Sequence, residues 1–355
     1  RTENLNHQEY FLYSQEDGRF VPKSAVDNGS FTISYNIWGT AFEKDSKDNK
    51  SATFEKLKSN RLEIAKRLAQ QNPNWNQQYD STGFPVGYGS KSQEVLMASF
   101  LAAYSGKSAG STNLNPFPKI PKPNWRITYN GLSKIEFLSR YLKNITISHA
   151  YRSTYSVASY RSNILYHVNP ANGHADSVDA YNNFRPQYQI DVVTITEQFS
   201  PLIGFDLTWV NNLSTRAEYK KSRNLALSFV NNQLTEIRSS EFVFGLGYRF
   251  KNMEYILKTL GVQSKKTKVQ SDLNIKCDVS IRNNKTILRR VDEDIDQISA
   301  GQKLTTINFS ADYMMSQNFN LRFFFEKSNT NPFISSQYPN STTNAGISLR
   351  FTLAQ

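Results

Sequence analysis

The chain has 355 residues, of which 38% are hydrophobic, and its mean hydropathy is −0.56. These averages are typical of a soluble protein, yet 13% of the residues are aromatic, with 23 Phe and 19 Tyr. A transmembrane β-barrel has such a composition, because only alternate residues face lipid while aromatic side chains line both membrane interfaces. No run approaches the roughly 20 consecutive apolar residues of a membrane-spanning helix, which excludes a helical membrane protein.

The formal net charge of +12 arises from 42 Lys and Arg against 30 Asp and Glu. Basic and acidic residues are intermixed along the chain, without a basic helix or an RNA-binding aromatic motif, so nucleic acid is not a predicted partner. The lone cysteine, Cys277, can form no internal disulfide and no metal site by itself. The polar stretch Arg1 to Gln8 lacks a signal-peptide pattern, and we interpret the chain as a piece of a longer protein.

The first third of the chain differs from the rest. Alternating apolar residues from Phe31 to Ile37 predict a strand, and residues 1–43 are assigned to barrel strands and a connecting loop. Four prolines between Pro116 and Pro123 mark the end of a long polar segment. We expect residues 44–123 to form an insertion on the solvent side of the barrel.

Two helices are predicted inside this insertion. Apolar residues recur at helical spacing over Thr53–Gln71. A second helix is expected over Gln93–Tyr104, with Ser92 as its N-terminal cap. At about a dozen residues, the second helix is too short to cross a bilayer.

Residues 124–355 form a series of predicted strands in which apolar and polar residues alternate with a period of 2. Asn pairs at 211–212 and 231–232 predict tight turns, because Asn tolerates the left-handed backbone conformation. Three further connections are predicted: a short helical insertion at Met253–Leu260, a turn at Ser316–Asn318 and a longer loop at Asn329–Thr343. Long strands joined in this way predict an antiparallel up-and-down meander.

One predicted face of this meander is apolar and bulky, whereas the other carries mixed charges. Several strands reach the roughly 9 to 11 residues that a membrane strand needs. We therefore predict an antiparallel up-and-down transmembrane β-barrel segment, part of a very large barrel, with a small helical insertion. The predicted lipid-facing residues are Phe205, Leu207, Trp209, Phe244, Leu246, Tyr248, Ile275, Phe309, Phe323, Leu349 and Phe351. The predicted lumen-facing residues are Arg216, Glu218, Lys220, Arg249, Lys276, Asp312, Arg322 and Arg350.

Several short motifs suggest chemistry, and each favours a structural interpretation. Ser105–Ser108 is similar to the end of a phosphate-binding loop but has Leu101 where the first Gly is required. Three of the four histidines, His149, His167 and His174, lack metal-ligand spacing. The acidic cluster Asp292, Glu293, Asp294 and Asp296 lacks the Gly and the distal Glu of a calcium loop. No catalytic spacing is present, so no catalytic, cofactor-binding or metal-binding residues are predicted.

Eight segments in the same order resemble the SprA (Sov) family. They are Pro123–Arg126 (PNWR), Tyr129–Lys134, Ile147–Tyr155, Glu197–Gly204, Tyr219–Thr235 (YKKSRNLALSFVNNQLT), Arg289–Arg290, Ser299–Gln302 and Asn331–Tyr338 (NPFISSQY). Together they cover most of the chain from Trp125 to Leu353. An aromatic residue near the terminus, Phe351, also resembles the terminal strand that outer-membrane assembly recognises.

The resemblance implies a C-terminal portion of the outer-membrane translocon of the type IX secretion system of Bacteroidota, which is also tied to gliding motility. It implies a protein-conducting channel without catalysis or cofactor, in the outer membrane of a Gram-negative bacterium. The expected partners are outer-membrane lipids, secreted cargo proteins, and plug and barrel-side accessory proteins. The alternative function is an outer-membrane barrel that anchors a surface receptor or adhesin, and a third interpretation of the strands is a soluble lipid-binding β-protein.

Overall fold

The computed structural model describes residues 1–251, 272–293, 295–316 and 319–352. Within these residues the protein is mainly β and forms an antiparallel, up-and-down sheet of twelve strands. The strands are β1 (Thr2–Ser14), β2 (Arg19–Ser34), β3 (Trp125–Tyr129), β4 (Leu142–Ser162), β5 (Tyr188–Ile190), β6 (Val192–Trp209), β7 (Leu213–Ser228), β8 (Gln233–Phe250), β9 (Leu273–Arg290), β10 (Asp296–Ser316), β11 (Phe319–Pro332) and β12 (Asn340–Phe351). In the described part of the chain, β1 and β12 are the two edges, so the sheet is open.

In the described residues three α-helices accompany the sheet: α1 (Ala52–Gln71), α2 (Gln93–Ser105) and the single turn α3 (Glu136–Ser139). The first two confirm the predicted helices to within one residue at each end. Ser51 caps α1 by accepting a hydrogen bond from the backbone N–H of Phe54. Ser92 occupies the predicted cap position of α2, but its side chain makes no capping hydrogen bond. None of the described helices is both long enough and apolar enough to span a bilayer.

The insertion interrupts a single line of strand. β2 pairs with β4 as far as Ser34 opposite Thr154, and β3 resumes on the same edge of β4 with Trp125 opposite Tyr151. The backbone N–H of Lys122 donates to the carbonyl of Ser34 at 3.0 Å, which holds the two ends of the excursion together. Residues 35–124 therefore leave the sheet and return to it at nearly the same point.

Both long helices pack on one face of the sheet. Phe54 and Leu57 of α1 share a buried core with Phe100 of α2 and with Val193 and Leu225 of the sheet. This contact covers only one half of the length of the strands, namely the end of β4, the start of β6, the end of β7 and the start of β8. The predicted insertion is therefore docked on the sheet, where the strands supply half of its core.

The turns follow the predicted Asn pairs. Asn212 and Asn232 adopt positive φ values of 66° and 50° in the connections that follow β6 and β7. At the predicted turn Ser316–Asn318, β10 ends at Ser316 and β11 begins at Phe319. The predicted helix at Met253–Leu260 lies outside the described residues.

Residues 1–43 were assigned to barrel strands and a connecting loop, and within them Thr2–Ser14 forms β1, which no separate prediction had located. Two predictions of strand extent were wrong. β2 ends at Ser34 rather than reaching Ile37, which instead is buried in the core beneath the helices. The predicted loop Asn329–Thr343 shrinks to residues 333–339, because β11 and β12 continue their pairing to Thr330 opposite Asn340.

Candidate functional site

The pairing of the strands assigns each side chain to one of two faces, because residues directly opposite in an antiparallel sheet point to the same side. One row of paired residues crosses eight strands: Ile145, Leu207, Thr215, Leu246, Cys277, Phe309, Phe325 and Ala345. All eleven predicted lipid-facing residues lie on the face that contains this row. The structure thus brings them together on one surface.

We call the apolar part of this face the apolar band. Its members are Ile145, Ile147, Ile203, Phe205, Leu207, Trp209, Ala217, Tyr219, Phe242, Phe244, Leu246, Tyr248, Phe250, Ile275, Cys277, Val279, Ile281, Ile307, Phe309, Ala311, Tyr313, Leu321, Phe323, Phe325, Ala345, Ile347, Leu349 and Phe351. In β8 the band runs from Phe242 to Phe250, about 26 Å along the strand at about 3.3 Å per residue.

Much of the apolar band is open to the surroundings. Phe242 is 46% exposed, Leu246 is 40% exposed and Leu349 is 64% exposed. Soluble monomers rarely expose contiguous apolar patches above a few hundred Å². The band therefore needs an apolar medium or a partner surface.

The opposite face carries charges. Its corresponding row contains Thr146, Asp206, Arg216, Gly245, Asp278, Asn308, Glu326 and Asn344. All eight predicted lumen-facing residues lie on this second surface, which we call the charged face. Contact of either face with lipid or with lumen water stays a prediction.

Ion pairs connect four strands across the charged face. Arg216 lies 2.5 Å from Glu218 and 3.9 Å from Asp206 on the neighbouring strand. Lys220 lies 3.1 Å from Glu218 and 4.0 Å from Glu241. Arg282 extends the chain of pairs by contacting Glu241 at 2.7 Å. The positive and negative groups of these ion pairs neutralise one another within the sheet.

Two glycines of β8 leave space on the charged face. A Cβ at Gly245 would collide with the carboxylate of Asp278, and a Cβ at Gly247 would collide with the hydroxyl of Ser214. The Ser214 hydroxyl instead donates to the carbonyl of Gly247 at 3.1 Å. The absence of side chains thus leaves room for polar groups of the adjacent strands.

The insertion covers the part of the band-bearing face that lies beyond the end of the apolar band. Residues 38–50, which we call the strap, cross β7, β8 and β9 in that order. Lys221 donates to the carbonyl of Ala41 at 2.6 Å, and Arg238 contacts the carboxylate of Asp45 at 3.0 Å. Lys285 donates to the side-chain oxygen of Asn49 at 2.5 Å. The strap thereby runs along the border between the covered and the open half of the face.

Buried ion pairs fix the insertion to the strands. The side chains of Arg289 and Glu236 are fully buried and 3.0 Å apart, and Arg289 also lies 3.0 Å from Asp45 of the strap. In a second buried pair, Arg223 contacts Glu197 at 3.1 Å. Buried charges persist only when they are paired and hydrogen-bonded, so docking of the insertion and neutralisation of these residues depend on each other.

An aromatic cluster lies where the strap leaves the sheet. Trp38 stacks on Trp125 at a ring-centroid distance of 5.2 Å and contacts Tyr151 and Phe199 at 5.4 and 5.6 Å. Phe42 packs on Phe199, and the ammonium of Lys221 lies 4.7 Å from the Phe42 ring centroid. This cluster therefore occupies the same border as the strap.

A cleft of about 750 Å³ lies beside α2, lined by Glu94, Arg67, Asn115, His174 and Tyr188 among others. The Glu94 carboxylate has no hydrogen-bond or ion-pair partner among the described residues, and burial raises its pKa to about 7. A second cleft of about 780 Å³ lies at the other side of the start of α2. Periodicity predicted the helix but gave no signal for the clefts, which the loops from β4 to β5 help to form.

The remaining candidate residues have structural partners. Gly106 of the Ser105–Ser108 motif ends α2 in the left-handed conformation, with φ of 73°. His149 Nδ1 lies 2.6 Å from the carbonyl of Leu202, and His167 lies 2.7 Å from Asp176. Within the described residues, no group of three or more His, Cys, Asp and Glu is arranged to hold a metal ion.

The acidic cluster after β9 is divided among basic partners. Asp292 contacts Lys91 at 3.0 Å, Glu293 contacts Arg290 at 2.8 Å, and Asp296 contacts Arg289 at 3.1 Å. Asp294 lies outside the described residues. Three of the four carboxylates therefore point to different cations and do not converge.

Comparisons of the chain with models of known protein families and with curated proteins found no match.

Proposed function

We propose that the chain forms part of a large β-barrel in the outer membrane of a Gram-negative bacterium, and that it is a wall segment of a protein-conducting channel. The observation that carries this proposal is the apolar band on one face, backed by a face of paired charges. The proposed fold is that of the SprA translocon family, which the sequence resembles. No catalysis and no cofactor are part of the proposal.

Lipid is the proposed neighbour of the apolar band. Each 100 Å² of apolar surface removed from water is worth about 2.5 kcal/mol, so leaving this many aromatic and aliphatic side chains in water is costly. In β8 the band spans nine residues, which agrees with the roughly 9 to 11 residues of a tilted membrane strand. A second protein layer could also cover it, but it would have to match a band that extends across eight strands.

The proposal requires further strands beyond β1 and β12. Unpaired backbone groups cost several kcal/mol each in hydrocarbon, so a sheet in lipid must close into a barrel. Twelve described strands with two open edges would be one sector of such a wall. This requirement agrees with the very large barrel that the resemblance implies.

The charged face would line the lumen of this channel. Because its cations and anions are already paired with each other, a passing protein of either charge gains little by binding to the wall. Gly245 and Gly247 add no side chains to which a protein could adhere. The insertion docks on the band-bearing face, so in a closed barrel it would lie outside the lumen and leave the conduit free.

The proposed partners are outer-membrane lipids, secreted cargo proteins, and the plug and accessory proteins that the resemblance implies. A surface receptor or adhesin is the second candidate function. The two clefts beside α2, of about 750 and 780 Å³, favour this candidate because they are large enough for a small ligand.

The lone cysteine tests the membrane part of the proposal. Cys277 belongs to the apolar band, so in reconstituted membranes we expect it to resist a charged thiol reagent, which does not enter hydrocarbon. The matched control combines Cys277→Ala with Ser280→Cys, which moves the thiol to the charged face. Equal reaction of both thiols with the charged reagent would refute the face assignment.

Photo-crosslinking in the living bacterium separates conduit from receptor. A photoreactive residue at Ser280 should capture proteins that are otherwise found in the culture medium, whereas one at the neighbouring Val279 should not. If neither position captures secreted proteins during active secretion, the conduit is rejected in favour of the receptor.

A further inference from the structure

Three lysines lie at the edge of the apolar band. Two are on strands that the insertion does not cover, and the third is on β9, which the insertion only reaches. Lys327 follows Phe325 at the next position on the same face of β11. On the same face, Lys303 of β10 lies four residues from Ile307, and Lys285 of β9 lies four residues from Ile281. Ile307 and Ile281 are the last members of the band on these strands. We call these three residues the lysine rim.

The lysines of β9 and β10 are neighbours. Lys303 is paired with Asn283, and Lys285 is paired with Gly301, so the two lysines are diagonal neighbours on one face. Diagonal positions in an antiparallel sheet are about 7 to 8 Å apart, within reach of long side chains. Two ammonium groups at this spacing repel each other unless an anion lies between them.

The carboxylates near the rim are already held by arginines: Asp45 of the strap and Glu236 of β8, which act on the charge of Lys285, contact Arg238 and Arg289. In the described parts of β9 to β12, the only acid on the same face is Asp296, and it contacts Arg289 at 3.1 Å. Lys285 donates to the amide of Asn49, a neutral acceptor. Lys303 is exposed, and within the described residues it makes no hydrogen bond or ion pair.

The rim continues the border marked by the aromatic cluster. A single row of paired residues joins Tyr151, Phe199, Lys221, Ser240, Asn283, Lys303 and Asn331. Trp38 and Phe42, which pack on this row, remain 38% and 46% exposed. In membrane proteins, aromatic rings and lysines gather at the level of the lipid headgroups.

We propose that the lysine rim binds the phosphate groups of membrane lipids whose acyl chains cover the apolar band. This inference rests on the proposed function, because it takes the band to be immersed in lipid. A lipid phosphate supplies an anion between the lysines, and the acyl chains of the same lipid contact the adjacent apolar band. Charge complementarity and position thus select the same occupant.

The test measures binding of phosphatidic acid to the full chain in a nonionic detergent, by native mass spectrometry. The double variant Lys303→Gln/Lys327→Gln should bind this lipid about 10- to 30-fold more weakly, as expected for the loss of two surface lysines. Lys276→Gln removes one positive charge from the charged face and should leave binding unchanged. Phosphatidylcholine, whose headgroup is zwitterionic, should distinguish little between the variants.

Two results would overturn the proposal. One is an unchanged affinity of the double variant for phosphatidic acid; the other is competition by inorganic phosphate at a concentration equal to that of the lipid, which would make the rim a site for free anions. Either can occur while Cys277 remains protected in membranes, so failure of the rim is distinguishable from failure of the membrane proposal.

Discussion

Neighbouring residues of a strand have opposite environments in this sheet, and Leu246 and Gly247 show it most simply. Leu246 lies in the apolar band between Thr215 and Cys277, whereas Gly247 lies on the charged face between Ser214 and Lys276. One step along the backbone therefore moves a side chain from the apolar band to the charged face.

Substitution at these two positions should have unequal costs. A cation on the lipid face near the bilayer midplane costs about 2 to 4 kcal/mol, so Leu246→Arg should lower the free energy of unfolding by about that amount. Gly247→Ser should be mild, because the Ser214 hydroxyl at that position can rotate away. Denaturant titration in lipid vesicles measures both, and equal sensitivity would contradict the two-face assignment.

Glu94 should make the stability of the insertion depend on pH. Burial raises its pKa in the folded state to about 7, above the value of 4.5 of the free group. Between these values the folded protein retains a proton that the unfolded chain releases, so the free energy of unfolding falls as the pH rises. The loss is complete above about pH 7.

Glu94→Gln should remove this dependence and stabilise the insertion at pH 8 by about 1 to 2 kcal/mol, an amount reduced for the partial exposure of the carboxylate. Near pH 4 the variant and the parent should be equally stable. Fluorescence of Trp75, which packs against the α1–α2 core, follows the unfolding. The exposed Glu63→Gln is the control and should keep the parental profile; the same profile for Glu94→Gln would disprove the assignment.

At the scale of elements, two adjacent arginines form ion pairs of different kinds. Arg289 belongs to a buried cluster, which we call the buried clamp, and Arg290 belongs to a surface pair. Arg289 is fully buried and holds Glu236 and Asp45, whereas Arg290 contacts Glu293 at the surface. Arg289→Met leaves buried carboxylates with fewer partners and should cost about 3 kcal/mol. Arg290→Met should cost under about 1 kcal/mol.

Limited proteolysis within residues 35–124 reports this difference, because undocking of the insertion exposes its backbone. We expect rapid cleavage in Arg289→Met and parental resistance in Arg290→Met. If the two variants were cut at the same rate, the buried pairs would not be what holds the insertion in place.

Alternation predicted the elements that have one apolar and one polar face, and helical spacing predicted α1 and α2. It did not locate β1 within residues 1–43, because Asn4, Asn6 and Gln8 alternate with Glu3 and His7 and both faces are therefore polar. It overestimated the last loop, because the strand ends beyond the band are rich in Asn, Ser and Thr on both faces.

The docking of the insertion could not be predicted from the strands. Leu225 and Leu234 lie under the helices, yet in sequence they are indistinguishable from band residues such as Leu246. A periodic pattern states that a side chain is withdrawn from water without stating what replaces the water. The buried clamp joins Asp45 to Arg289 over 244 positions, and no local pattern carries such a pairing.

For the whole molecule, the two ends of the sheet differ in their connections. The apolar band lies near the end that carries the turn 210–212, the segment 130–141, the connection from β8 to β9 and the end of β12; the opposite end carries residues 163–187, which are the longest connection between strands apart from the insertion, together with residues 229–232 and 333–339. Outer-membrane barrels have short periplasmic turns and longer outer loops. We therefore predict an extracellular location for residues 333–339 and a periplasmic one for the C-terminus.

A protease added to intact cells should cut a cleavage sequence engineered into residues 334–338, where Tyr338 is 88% exposed. The same sequence placed at residues 210–212 should be cut only after lysis. Protection of the first site together with cleavage of the second would reverse the orientation.

The return of residues 35–124 to the position from which they left has a practical consequence for building on this protein. Since Lys122 and Ser34 are joined by a backbone hydrogen bond, a folded domain with adjacent termini could replace residues 35–124 and keep the pairing on either side, provided that it supplies new partners for Arg289 and Arg223. An enzyme or a fluorescent reporter could be attached to the sheet at this position beside β4.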